Sequence, residues 1–83
     1  MMERKIGEVT HYFTNIDVAA IELEDELNVG DTIRIKGHTT DFEQKIDSME
    51  VDRDPVETGK PGQEIAIKVK NRVREHDEVF LVE

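Results

Sequence analysis

Eighty-three residues are enough for one domain and not for two, and a chain of that size hides only about 60% of the surface its unfolded form exposes, which leaves little room for a deep substrate pocket. Twenty Asp and Glu against 11 Lys and Arg give a formal net charge of −9, which repels phosphate backbones unless a local basic patch opposes it. Cysteine is absent, so disulfide support, zinc–thiolate sites and thiol catalysis are excluded.

Apolar and polar positions alternate along most of the chain, the period of half-buried strands. The run Ile6–Tyr12 alternates imperfectly. Ile16–Leu23 is a second strand, apolar on both sides of its alternation, which predicts partial burial of both faces. Glu24–Asp31 interrupts the pattern with Leu27 and Val29 as its only apolar anchors, and Gly30-Asp31 signals a turn. Thr32–Gly37 is a third strand with Ile33 and Ile35 inward.

Phe42–Val51 reads as the fourth and longest strand. Its apolar residues change face, so a bulge near Asp47 or Ser48 is expected. Pro55 ends it, since proline cannot donate to a ladder. Val56–Gly62 is a loop closed by Pro61-Gly62, Gln63–Lys70 the fifth strand, Asn71–Asp77 a polar turn and Glu78–Glu83 the last strand. Six or seven short strands in one small domain predict an all-β fold, and closure removes exposed strand edges, so residues 1–83 are expected to form one small closed antiparallel β-barrel.

Few residues carry a chemical signature. The only Gly-Lys pair is Gly59-Lys60, and proline follows it, so no phosphate-binding loop is present and GTP hydrolysis is rejected. Asp47, Glu50, Asp52 and Asp54 lack the glycine of a calcium loop and read as a solvated face. His11, His38 and His76 are far apart, and no serine sits in a nucleophile elbow. No catalytic, cofactor or metal residue is assigned, and the chain is expected not to be an enzyme. Lys68, Lys70, Arg72 and Arg74 are spaced by two and would share one face of an extended strand, a candidate RNA contact. Tyr12 and Phe13 would point to opposite faces, one into the core and the other outward as a partner anchor.

Three segments carry a family resemblance. Gly30–Ile35, Ser48–Val51 followed by Pro55-Val56-Glu57, and Pro61–Ile67 resemble, in order and spacing, strand entries in the second domain of elongation factor Tu and its archaeal and eukaryotic equivalents. That resemblance implies a translation-protein barrel acting as a stand-alone docking module in translation or tRNA modification, without its GTPase domain. Glu50 matches a family glutamate near the bound adenine, whereas Asp52 replaces a bulky apolar residue and His11–Asn15 lacks the family's Gly-Arg turn. Lys5–Phe13 also resembles the start of the C-terminal barrel of collagenase-like peptidase-type proteins, a group that includes tRNA hydroxylation enzymes. It implies a detached companion domain as the alternative.

The implied partner is a protein, with tRNA or rRNA contact as the second option and no cofactor. The start, Met1-Met2-Glu3-Arg4-Lys5, has no secretory h-region and no apolar stretch is long enough to span a membrane, so a cytoplasmic protein is expected. The 37% charged residues lean towards a heat-adapted source.

Overall fold

The computed structural model describes residues 2–83. All regular structure among them is β: β1 (Glu3–Phe13), β2 (Val18–Leu23), β3 (Leu27–Asn28), β4 (Thr32–Lys36), β5 (Asp41–Lys45), β6 (Met49–Val51), β7 (Asp54–Val56), β8 (Thr58–Gly59), β9 (Glu64–Lys68) and β10 (Glu78–Val82). Eight form one sheet in the order β5-β4-β10-β1-β2-β9-β6-β7, and β3 pairs with β8 as a separate ribbon. Every pairing is antiparallel. No helix among the described residues is long and apolar enough to cross a membrane.

The all-β, antiparallel expectation holds. Backbone pairing does not close the sheet among the described residues: it ends at β5 on one side and β7 on the other. Where β5 faces the end of β9, a side chain spans the gap. The Gln44 amide donates through Nε2 to the carbonyl of Lys68 at 2.9 Å, and its Oε1 accepts from the Lys70 amide at 3.0 Å. One carboxamide thus satisfies a carbonyl and an N–H that would otherwise need a strand partner.

The core is almost wholly aliphatic. Ile21, Ile33, Ile35 and Ile65 are fully buried, and Ile67 and Leu81 nearly so, the inward halves of β2, β4, β9 and β10. Each fully buried side chain of this kind contributes roughly 1.5–3 kcal/mol. Leu27, in the short β3, is also fully buried, whereas Val29 stays exposed, so the acidic interruption has one anchor and not two.

The alternation fails where the backbone departs from a plain ladder. On β1 the register slips between Lys5 and Gly7 against β10, and between Val9 and His11 against β2, leaving Ile6 and Thr10 as extra residues. The expected fourth strand is two strands, β5 and β6, because residues 46–48 leave the sheet; the expected bulge is a break. Pro55 does not end a strand. It sits in the edge strand β7 opposite Glu50, where a missing N–H costs nothing on the side facing away from the ladder.

Gly7, beside the first slip, lets β1 approach β2 closely. A Cβ there would stand 2.6 Å from the Glu22 carbonyl oxygen on β2 and 3.0 Å from Ile21 Cγ2. The first of those neighbours is backbone and cannot swing aside. Gly7→Ala is therefore expected to lose about 1–3 kcal/mol of stability, read as a lower urea midpoint at unchanged m-value.

Candidate docking groove

An open groove of about 680 Å³ lies on the outer face of β2, β9 and β6. Its floor follows from register. Ala20 stands opposite Ala66, and Ala66 opposite Glu50. Two methyl groups abreast on the outer face leave a trough where larger side chains would otherwise stand.

One wall is apolar. Phe13, the last residue of β1, is 44% exposed, and Ile16 in the following turn is 59% exposed. The Ile16 amide bonds the Phe13 carbonyl at 3.3 Å. Asp17 takes φ 55°, and its carboxylate accepts from the Tyr12 hydroxyl at 3.1 Å. Loss of water around the Tyr12 phenol, with that hydrogen bond and the Asp17 charge, pushes its pKa up. The His11 ring meets Phe13 edge-on at 4.4 Å.

The other wall is charged. The two-residue turn between β6 and β7 has Asp52 at φ 52° and Arg53 at φ 68°, closed by the Val51–Asp54 pair. This is the mirror-image hairpin turn whose twist matches its strands. Glu64 lines the trough beside it and accepts from the Thr10 hydroxyl at 2.6 Å. Among the described residues Glu50, Asp52 and Arg53 enter no ion pair. Three carboxylates and one guanidinium thus line this side of the apolar floor.

A second cleft, of about 510 Å³, follows the seam spanned by Gln44 and is lined by Lys45, Lys68 and Lys70 with Asp47. The expected basic stripe does not lie on one strand. Lys68 is the last residue of β9; Lys70, Arg72 and Arg74 follow in irregular chain, exposed, with Val69 and Val73 buried between them. Of the two aromatics, Tyr12 is the one packed against the core and Phe13 the one turned outward. His11 lies 3.4 Å from Glu75 and His76 3.1 Å from Glu8. Among the described residues no His, Asp and Glu side chains gather as a metal site.

Away from the grooves, Arg34 joins three strands. Its guanidinium forks onto Asp41 at 2.7 and 2.9 Å and reaches Glu3 at 2.9 Å. Those bonds hold the Asp41 carboxyl below its ordinary 3.8 and the Arg34 pKa above its own.

The fold now has a counterpart. It is that of the C-terminal domain of a Geobacillus thermoleovorans protein described as a U32 peptidase: two crystal structures superpose with TM-scores of 0.91 and 0.87, covering 96% and 92% of this chain and 93% and 96% of theirs. Sequence identity is 18% and 19%, so this likeness concerns the fold alone. An uncharacterized protease of Methanocaldococcus jannaschii is 39% identical over 79 residues, 94% of this chain. A collagenase of Porphyromonas gingivalis is 38% identical over 77 residues, 90% of this chain. The chain spans about a fifth of their lengths, 19% and 21%. No family model matches the chain.

These matches correct the elongation-factor resemblance, and with it the assignment to protein biosynthesis: the neighbours are U32 peptidase C-terminal domains and collagenase-type proteins. The shared segments explain the resemblance. Gly30 and Gly62 occupy turns at φ 99° and 88°, and a glycine at a positive-φ turn before an alternating strand is a requirement of small antiparallel sheets in general.

Two expectations follow. Arg53→Gly removes a left-handed non-glycine residue, which costs about 1–2 kcal/mol, and should raise the melting temperature despite the added chain entropy of glycine. The depressed Asp41 pKa gives stability that is present above pH 3.8 and lost as pH falls through the lower folded value. In Arg34→Gln the Asp41 titration should move up towards the ordinary carboxylate value by NMR, and the deficit in urea midpoint against the unmodified chain should shrink below pH 3.8.

Proposed function

We propose that this chain is a non-catalytic companion domain of the U32 collagenase-like peptidase type, which docks a protein partner and leaves the chemistry to a catalytic domain. One observation carries the reading: 39% identity across 94% of the chain falls on a segment making up 19% of an archaeal protease. The fold supports it, since two crystallised C-terminal domains of one such protein share it. The grooves agree, being open surface troughs with outward apolar and charged side chains. We further read the curled sheet as a barrel, with Gln44 supplying the seam that backbone pairing leaves open.

Docking is favoured over RNA contact. The four cations of the expected stripe do not share a strand face, and the net charge of −9 opposes a polyanion.

Mixing experiments test the reading. The 83-residue chain alone should hydrolyse no gelatin. Added to a U32-type catalytic domain from the same organism, trimmed of its own C-terminal domain, it should co-elute on size exclusion. Gelatin cleavage by the chain alone, or separate elution at micromolar concentration, would contradict the proposal.

A further inference from the structure

We propose that the groove between Phe13 and the Asp52-Arg53 turn binds an extended segment of a partner polypeptide that carries a lysine or arginine between apolar side chains. The proposal rests on the docking reading for the kind of partner and adds the surface and its chemistry.

The floor comes first. Ala20 and Ala66 are held side by side by the β2–β9 ladder, so nothing larger than a methyl group rises from the middle of the face. Phe13 and Ile16 stand exposed beside it in a chain with only four aromatic residues of the Phe and Tyr type. An exposed aromatic against a small-residue trough is a setting for side-chain burial from a partner, because aromatic contacts carry a large share of interface energy.

Charge then selects the occupant. Glu50, Asp52 and Glu64 line the same groove, opposed by Arg53 alone. A wholly apolar occupant would strip water from these carboxylates without replacing it, which costs free energy. An acidic occupant would meet like charge as well. A lysine or arginine satisfies both demands: its methylene stem lies along the alanine floor while its head reaches the carboxylates. Glu64 is fixed by the Thr10 hydroxyl, and the charged turn by its two left-handed residues, so part of this rim is set before anything binds.

The probe is a blocked five-residue peptide, alanine-phenylalanine-lysine-phenylalanine-alanine, titrated into the ¹⁵N-labelled chain beside a twin with glutamate for lysine. The lysine peptide should move the amides of Phe13, Ala20, Glu50 and Ala66 and bind at least about tenfold tighter than its twin, a difference of about 1.4 kcal/mol. The E50Q/D52N double variant, altered only at exposed positions, should keep its dispersed spectrum and lose that preference. Equal binding of the two peptides, shifts centred elsewhere, or no saturable shift at millimolar peptide would overturn the proposal.

The companion reading fails separately. If E50K/D52K still co-elutes with the catalytic domain, the groove is not the docking surface although the domain docks. If the lysine peptide binds as described and the unmodified chain does not co-elute, the groove stands and the companion reading falls.

Discussion

Everything in this fold depends on β1 serving two ladders. Its first half pairs with β10 and its second half with β2, the two overlapping at Gly7 and Glu8. A flat strand of 11 residues could not give both partners a shared core. The extra residues at Ile6 and Thr10 bend and twist it, as bulges do, so that the sheet curls until β5 comes within a glutamine side chain of the end of β9. β1 and β2 approach closely where Gly7 meets the Glu22 carbonyl.

The same bend positions the candidate site. Thr10, the second extra residue, donates its hydroxyl to Glu64 at 2.6 Å with the Ala20 carbonyl 3.2 Å away, tying the strand irregularity to the groove rim. Phe13 lies three residues further on, at the end of the strand where the hairpin turn begins. Fold and candidate groove are therefore coupled through one strand: what lets a small aliphatic core form also leaves an apolar aromatic facing water. Part of the remaining outer face is salt-bridged. Arg34 with Asp41 and Glu3, and Lys5 with Glu24 and Glu78, cover β1, β4 and β10, while the groove's carboxylates have no such partner among the described residues.

How much of this was legible in the sequence varies by element. Ile33 with Ile35, and Ile65 with Ile67, alternate cleanly in strands with regular ladders, and their burial follows directly from period two. Periodicity is blind to β1's slips, since an extra residue looks like noise in the alternation. The β6–β7 hairpin was hidden because Asp52 and Arg53 take a conformation normally signalled by glycine, and Pro55 reads as a terminator until β7 is known to be an edge. Val69 and Val73 continue the apolar spacing beyond Lys68, so the basic residues between them resemble a strand face that has no ladder to hold it. The groove itself needs register: Ala20 and Ala66 are 46 positions apart, and nothing in either local segment says that they stand abreast.

The central claim is that this face, and not the rest of the surface, is what the domain offers to a partner. Amide hydrogen exchange of the chain, free and mixed with the U32-type catalytic domain, tests it most directly. The account predicts slowed exchange confined to residues 13–20 and 50–53, with the β4–β5 side unchanged. Protection centred on β4 and β5, or no protection anywhere in a complex that demonstrably forms, would contradict it.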